Sequence, residues 1–410
     1  MNQISEIRRY DIDWLRVLLF GLLILLHNVI GFSQFGDLVY GYSNNDLGGP
    51  LLELFIFFTH GWRLPALFII AGMGTCFAFK KRSSLAFLCE RLFRLFIPLL
   101  FASLFINVIQ GYFRFINDGS GIAFNEFVIG WWTRANPDSI GVFEFELSQM
   151  YMRVGHLWFL VNLLLYSLIA LPLFAICRRW PKNFLLSLSG RVLKLPFAIG
   201  LLFLLPLPLV LIELFIKPWM GGLIGFGYEF FWFFIFFLLG YICIAAGNAY
   251  WESLHKARFA LLILSCLSFS GSLAFVIIAE SIKPGYGALL DRGGWVHVGD
   301  SFWNLLSFPM CILHSMNAWW WSLSIFAWGS VLLNRTSKWL AYMNQAVYPF
   351  YIFHMTFCLV GLYYIKAWAL PWPIKLGLLN AIVFLGCWFM FELVKRTRFT
   401  RALFGIKPLA

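Results

Sequence analysis

Residues 14–34 read WLRVLLFGLLILLHNVIGFSQ, an apolar run in which Arg16 and His27 are the only ionisable side chains. A run of about 20 apolar residues is long enough to cross the hydrocarbon core of a bilayer as an α-helix. The preceding residues 1–13 are polar with mixed charge, and no small-residue cleavage site ends the run. We therefore predict a retained transmembrane helix, preceded by a short cytoplasmic segment at residues 1–13, rather than a cleaved signal peptide.

The composition of the whole chain is also that of a membrane protein. Its 410 residues are 61% hydrophobic and only 12% charged, whereas a soluble domain has about a quarter charged residues. So few charges cannot cover a water-facing surface, which excludes a soluble globular enzyme. We expect no nucleic-acid partner despite the net charge of +12, because basic side chains flanking membrane spans explain a charge of this sign.

Further apolar runs follow the first, which gives about ten predicted spans. Every backbone N–H and C=O group in lipid must be satisfied within the structure, so each span is predicted to be a helix. The predicted fold class is therefore an all-α integral membrane protein. The spans are residues 14–34, 51–79, 92–116, 156–177, 195–216, 225–247, 259–279, 301–328, 342–365 and 371–394.

The basic residues predict the orientation of these spans. With the N-terminus inside, 21 of the 31 Lys and Arg residues fall on the cytoplasmic side and eight on the outer side. This asymmetry predicts that both termini are cytoplasmic, with a basic tail at residues 395–410. Residues 1–410 are then one polytopic membrane domain, whose longest outer loop covers about residues 117–155. Interrupted helices are suggested by Pro65, Pro206, Pro208 and Pro309.

Ionisable side chains inside membrane spans are costly and point to function. Arg16 and His27 are eleven positions apart, which at about 100° per residue brings both to the same face of a helix, roughly 16 Å apart along its axis. One stripe thus presents an anion-binding group near the cytoplasm and a proton-transfer group deeper in the bilayer. A snorkelling arginine and a histidine that only packs are the alternative. Asp13 is interpreted as a helix cap in preference to a partner of Arg16.

Two further pairs of polar residues lie in or beside the next spans. His60 and Arg63 are one turn apart in the second span and need partners on other helices. Arg91 and Arg94 share a face at the cytoplasmic end of the third span, where a phosphate-rich ligand would approach. The positive-inside rule together with a Glu90–Arg94 ion pair explains this second pair equally well.

Other polar residues of the spans fit packing as well as chemistry. His156, His314 and His354 are each as compatible with a hydrogen-bonded structural role as with catalysis. The spacing of the histidines does not predict a metal site. Four glutamates near span ends are interpreted as interfacial: Glu53, Glu213, Glu229 and Glu392.

Taken together, these motifs resemble the membrane acyltransferase-3 family. The resemblance rests on Arg16 and His27 with ten residues between them, and on Arg91-Leu92-Phe93-Arg94 ahead of an Ile-Pro pair. It extends from about residue 10 to the C-terminus, and the motifs occur in the family's order. The other similar segments are His60-Gly61-Trp62-Arg63, His156-Leu157-Trp158-Phe159-Leu160 and Tyr351-Ile352-Phe353-His354.

The resemblance implies transfer of an acyl group, succinyl or acetyl, from a cytoplasmic acyl-CoA to a hydroxyl of a carbohydrate on the outer side of a bacterial inner membrane. Acyl-CoA is then a donor substrate, and no permanently bound cofactor or metal is expected. The partners are acyl-CoA, a glycan acceptor and membrane lipids. His27 is implied as the general base, with His60 or Arg63 as the donor to the oxyanion. The residues implied in binding the CoA phosphates are Arg91, Arg94 and Arg16.

Several alternatives remain open at the level of sequence. A transporter or flippase for a glycan, lipid or small anion also suits ten spans with kinked helices and buried charges. A membrane acyltransferase acting on a lipid or protein acceptor is a further alternative. Direct transfer and a covalent acyl-enzyme intermediate are both compatible with the motifs, and the oligomeric state is not predicted.

Overall fold

The structure is a computed structural model that describes residues 9–117, 119, 121–133, 154–180, 184–220, 225–282 and 307–407. The ordered elements in these ranges are helical. The α-helices are α1 Tyr10–Ile30, α2 Phe35–Tyr40, α3 Pro50–Lys80, α4 Ser84–Arg91, α5 Ile97–Phe101, α6 Asn107–Asn117, α7 Phe124–Thr133, α8 Trp158–Ile169, α9 Leu171–Arg179, α10 Phe184–Leu193, α11 Leu207–Phe215, α12 Tyr228–Ala245, α13 Asn248–Ile282, α14 Ser307–Leu332, α15 Lys338–Ile365, α16 Trp372–Val394 and α17 Arg398–Leu403. Shorter elements are the π-helices Leu92–Phe96, Ala102–Ile106 and Gly200–Leu204 and the 3₁₀ turns Gly155–Leu157 and Pro196–Ala198.

The all-α membrane fold is confirmed, whereas the count of ten spans stays a prediction. Within the described residues, eight helices are long and apolar enough to cross a membrane, or nine when the bent pair α8 and α9 counts as one span. The 45° bend of that pair falls within the predicted span 156–177. The predicted span 301–328 overlaps α14, a continuous helix that contains His314, Asn317 and several serines and is not among the eight. The first residues of that predicted span, 301–306, lie outside the described residues, as does most of the predicted loop 117–155.

Internal packing divides the chain into two compact units, each built from separate stretches of sequence. Unit 1 comprises Met1–Arg16, Phe57–Phe87 and Leu165–Thr336. Unit 2 comprises Val17–Ile56, Leu88–Leu164 and Ser337–Ala410.

In unit 1, two glycines let helices α3 and α12 approach closely. A Cβ atom at Gly72 would lie 2.0 Å from the carbonyl oxygen of Phe237, and one at Gly240 would lie 2.2 Å from that of Ile69. Apolar side chains gain little from association in lipid, so membrane helices rely on such close backbone packing. These two glycines therefore fix the approach of α3 to α12.

Proline explains where the helical hydrogen-bond ladder of unit 1 is interrupted. Pro206 has no N–H to donate to the carbonyl four residues earlier, and the chain ahead of it widens so that Leu205 N–H donates to the Gly200 carbonyl over 2.9 Å. The indole N–H groups of Trp319 and Trp320 donate to the carbonyls of residues 201 and 202 over 2.8 and 2.9 Å. The predicted interruption at Pro206 is thus confirmed, and two tryptophans of α14 satisfy the exposed backbone.

The interruption predicted at Pro65 is wrong, because helix α3 continues through it. Pro208 lies in the first turn of α11, next to the break at Pro206. A proline in the first turn costs no hydrogen bond, because those N–H groups have no partner within a helix. The interruption at Pro309 stays a prediction, because residues 301–306 lie outside the described residues.

In unit 2, helix α15 packs against α16 and α6. A π-helix, Leu92–Phe96, lies immediately before Pro98. Pro98 cannot donate to the carbonyl of Arg94, four residues earlier, and a local π turn accommodates the missing bond. The arginine pair of the sequence analysis therefore lies at an irregular turn, a feature that is frequent at functional sites.

Candidate active site

His27 lies in the last turn of α1, in unit 2, and its partner Tyr40 comes from α2, the next helix along the chain. The Ser33 hydroxyl donates to the Ile30 carbonyl over 2.9 Å and accepts from the Phe35 N–H over 3.2 Å, which reverses the chain after α1. Helix α2 then returns Tyr40, which is fully buried, to His27. The His27 Nδ1 atom lies 3.0 Å from the Tyr40 hydroxyl oxygen.

The hydrogen bonds of Tyr40 assign the tautomer of His27. The Tyr40 hydroxyl also lies 2.8 Å from the backbone carbonyl oxygen of His27, to which it donates. A phenol has one hydrogen and a carbonyl only accepts, so the arrangement that satisfies both contacts has the Nδ1–H of His27 donating to the Tyr40 oxygen. In the neutral imidazole, Nε2 then carries the lone pair, which is the form a general base requires.

Two more histidines adjoin His27 in the same unit. The ring centroid of His354 lies 5.2 Å from that of His27 and 5.1 Å from that of His156. The backbone carbonyl of Tyr351 accepts from His354 Nδ1 over 2.7 Å and from His156 Nε2 over 3.1 Å. One carbonyl therefore orients two imidazoles, and both bonds are satisfied by neutral rings.

The backbone beside His156 is held by buried amides of α6. Asn107 donates from Nδ2 to the Val154 carbonyl over 2.8 Å, and Gln110 donates to both Asn107 Oδ1 and Thr356 Oγ1 over 3.0 Å. Gly155 adopts a φ of 52°, a conformation that favours glycine. These contacts fix the position of the His156 ring against α15.

Aromatic rings of α1, α8 and α15 pack against one another next to the three histidines. Phe20 of α1 lies 5.6 Å from Tyr351 and 6.2 Å from Phe159, centroid to centroid, in edge-to-face geometry. The Tyr351 hydroxyl in turn donates to the His156 carbonyl. Such pairs contribute about 0.5–1.5 kcal/mol beyond burial. These aromatic contacts therefore hold the cluster of His27, His156 and His354 rigidly.

Arg91 and Arg94 also belong to unit 2. Arg94 donates from Nη1 to Glu90 over 3.2 Å, so the predicted helix ion pair is confirmed. The Arg94 side chain nevertheless keeps 43% of its surface exposed. An exposed ion pair contributes little to stability, and Arg94 remains accessible to an anionic ligand.

The remaining predicted site residues, Arg16, His60 and Arg63, belong to unit 1. Arg16 pairs with Asp13 over 2.5 Å, and α1 begins at Tyr10, so the interpretation of Asp13 as a cap is wrong because the residue lies inside the helix. Arg63 is only 3% exposed, and the charges of Arg63 and His314 act on His60. His60 thus has a neighbour on another helix, as its depth in the membrane requires.

A buried carboxylate of unit 1 corrects the sequence interpretation. Glu213 is fully buried rather than interfacial, and its Oε1 atom accepts from His314 Nδ1 over 2.5 Å and from Ser315 Oγ over 3.0 Å. The His314 ring stacks on Trp232 with the centroids 5.0 Å apart. Lys217 lies 3.7 Å from Glu213 Oε2, and burial lowers the pKa of this lysine although Glu213 opposes the shift. These contacts stabilise a charge that an apolar environment would otherwise reject.

Sequence reasoning singled out the histidines but missed the residues that contact them. Tyr40 contacts His27, Tyr351 contacts His156 and Glu213 contacts His314, at separations of 13, 195 and 101 positions. A buried tyrosine hydroxyl or carboxylate needs a partner, and that requirement is the one signal that could have singled these residues out.

Comparison with known proteins assigns the family. The model of the family Acyl_transf_3, described as an acyltransferase domain, matches residues 9–392. No curated protein and no solved structure matches the chain significantly. The family match covers nearly the whole chain, and the fold is that of a multi-pass membrane protein. The chain therefore belongs to the acyltransferase-3 family of membrane proteins.

Proposed function

We propose that this chain is an O-acyltransferase of the bacterial inner membrane that moves a succinyl or acetyl group from cytoplasmic acyl-CoA to a hydroxyl of a periplasmic or cell-surface glycan. The observation that supports it most directly is the environment of His27. Its Nδ1–H is directed to Tyr40, which leaves the lone pair of the neutral ring on Nε2. Family membership supports acyl transfer as the reaction class.

In this proposal His27 moves one proton in each direction. Nε2 takes the proton of the acceptor hydroxyl as its oxygen attacks the thioester carbonyl, and the tetrahedral oxyanion forms. The C–S bond then breaks, and the departing thiolate takes the proton back from His27 to give free CoA. The Nδ1–H bond to Tyr40 strengthens while His27 is an imidazolium, because charge-assisted hydrogen bonds are about twice as strong as neutral ones.

The neighbours of His27 suit this cycle. His354 and His156 each donate one hydrogen bond to the Tyr351 carbonyl. A neutral imidazole has the single N–H group that this bond needs. A neutral ring does not repel a transient positive charge on His27, whereas a second imidazolium 5.2 Å away would. We propose that repulsion between the adjacent rings keeps the cluster at one positive charge at most.

The remaining roles follow the resemblance. Arg91, Arg94 and Arg16 bind the phosphates of the donor, since guanidinium groups pair with phosphate in bidentate geometry. His60 or Arg63 donates to the oxyanion.

The proposed succinyl donor and glucan acceptor come from one member of the family. His60-Gly61-Trp62-Arg63 and the closing segment Leu403-Phe404-Gly405-Ile406-Lys407-Pro408 resemble glucans biosynthesis protein C. This chain has Met355 after His354, where two adjacent histidines are expected from that resemblance. The difference bears on the acyl group and its acceptor rather than on the reaction class.

The proposal is tested in cells that lack related enzymes. Wild type, His27→Ala and the control His255→Ala, a histidine of α13 outside the proposed site, are expressed at equal levels, and periplasmic and surface glycans are analysed by mass spectrometry. We expect an ester-linked acyl group with wild type and His255→Ala and none with His27→Ala. The mass increment identifies the acyl group.

Two outcomes would contradict parts of the proposal. Equal modification with His27→Ala would exclude His27 as the base and leave the reaction class intact. Unmodified glycans in every strain would exclude the glycan acceptor. Release of CoA thiol by membranes then separates an acyltransferase with a lipid or protein acceptor from a transporter, which releases none.

A further inference from the structure

Tyr348 of α15 has a hydroxyl group that the chain itself does not satisfy. The oxygen is inaccessible to solvent and has no hydrogen-bond partner among the described residues. The charged groups that act on it are the guanidinium groups of Arg94 and Arg91. A buried hydroxyl without a partner costs about 1–3 kcal/mol, so its retention beside two cations calls for an acceptor that comes from outside the protein.

The closing segment of the chain holds Tyr348 and Arg94 together. Gly405 adopts a φ of 63°, and a Cβ atom there would lie 2.9 Å from the Arg94 carbonyl oxygen and 3.1 Å from the Tyr348 ring. Only a glycine fits between these two groups at that conformation. The π turn that carries Arg94 and the helix that carries Tyr348 therefore meet across Gly405.

The segment is anchored on both sides of Gly405. Phe404 stacks on Phe353 of α15 at 4.9 Å and packs edge-to-face on Phe101 at 5.5 Å. The buried Arg401 donates to the carbonyls of Lys395 and Lys407 over 3.0 and 2.7 Å. Residues 401–407 are thus a folded part of unit 2.

We propose that Tyr348 is a ligand-binding residue whose hydroxyl donates to a phosphate oxygen of the acyl donor beside Arg91 and Arg94, and that Gly405 is a positioning residue for this anion site. The inference rests on the proposed acyl-CoA donor. Tyrosine O–H and guanidinium N–H groups are all donors toward a phosphate, which accepts only. The site therefore takes a phosphomonoester or diphosphate.

The test uses the full chain purified in detergent and measures binding without any acceptor glycan. The probes are CoA, dephospho-CoA, inorganic phosphate, and phosphatidylglycerol in mixed micelles. Tyr348→Phe keeps the ring and removes the hydroxyl, and Tyr342→Phe, on the same helix with its hydroxyl on Glu392, is the matched control. Loss of a hydrogen bond to a charged group predicts about tenfold or greater weakening of CoA binding with Tyr348→Phe, and no change with Tyr342→Phe.

The probes separate the phosphates and separate this inference from the proposed function. Weakening with CoA but not with dephospho-CoA assigns the contact to the 3′-phosphate, and equal weakening with both assigns it to the diphosphate. Equal CoA affinity of wild type and Tyr348→Phe would overturn the inference. If wild type binds no CoA, the proposed donor is wrong. The anion site is then supported if Tyr348→Phe weakens binding of phosphate or phosphatidylglycerol. It is overturned if Tyr348→Phe binds both probes as wild type does.

Gly405→Ala tests the positioning role. Its control is Gly247→Ala, because Gly247 has a similar φ of 66° but no atom within 4 Å of an added Cβ. Both variants bear the backbone strain of a left-handed alanine, and only Gly405→Ala displaces the Arg94 carbonyl or the Tyr348 ring. We expect weaker CoA binding with Gly405→Ala alone; equal CoA affinities in folded samples of both variants would refute the role.

Discussion

Removing the Tyr40 hydroxyl should slow acyl transfer without weakening donor binding. Tyr40→Phe deletes the acceptor of the 3.0 Å bond from His27 Nδ1 and the donor of the 2.8 Å bond to the His27 carbonyl. A neutral hydrogen bond contributes about 0.5–1.5 kcal/mol and one to a charged group about 1.5–3 kcal/mol. The difference, about 1–1.5 kcal/mol, is lost only when His27 is an imidazolium, which corresponds to about tenfold in kcat.

The matched control is Tyr42→Phe. Tyr42 is buried in the same unit, and its hydroxyl donates to the Leu359 carbonyl over 2.8 Å. This variant therefore has a comparable loss of folding stability but keeps the hydrogen bond of His27. Release of CoA thiol by purified protein, followed with a thiol reagent at saturating acceptor, gives kcat and the donor KM. We expect kcat to fall about tenfold in Tyr40→Phe only, at unchanged donor KM.

Equal kcat for Tyr40→Phe and wild type would refute the role of the Tyr40 hydroxyl. An equal loss of activity in Tyr42→Phe at the same folded fraction would also refute it, because the effect would then be structural. Thermal unfolding of each sample in detergent supplies that folded fraction.

Three further variants test the architecture by thermal unfolding in detergent. Trp320→Phe leaves a buried backbone carbonyl without its donor and should destabilise the fold by about 1–3 kcal/mol, whereas a loss below that range would mean that another group satisfies the carbonyl. Gly240→Val places a side chain where even a Cβ atom would lie 2.2 Å from the Ile69 carbonyl oxygen, so little folded protein is expected by size exclusion, and normal yield would contradict the close packing. His314→Ala removes a 2.5 Å bond to the buried Glu213 and should cost about 1.5–3 kcal/mol; partial rescue by His314→Gln, which restores a donor, would distinguish the lost bond from lost packing.

The sequence by itself determined the fold class and singled out the polar residues of the spans as candidates for the site. Apolar runs of span length must be helical in lipid, because no water is present to satisfy the backbone. Intramembrane ionisable groups are rare for the same reason, so Arg16, His27, His60 and Arg63 stood out against an apolar background. The Glu90–Arg94 pair was also predictable, because residues four apart on a helix are neighbours.

Only the tertiary structure decided which polar groups meet. A membrane helix is apolar on its lipid face and on its packed face, so hydrophobic periodicity does not reveal its rotation or its neighbours. The sequence pattern therefore predicts an interfacial Glu213, whereas in the structure His314 of α14 forms a hydrogen bond to it. For the same reason the contact of His354 with His27 could not be predicted, because it arises only when distant helices pack. The return of Tyr40 to His27 depends instead on the turn at Ser33, whose geometry hydropathy does not reveal.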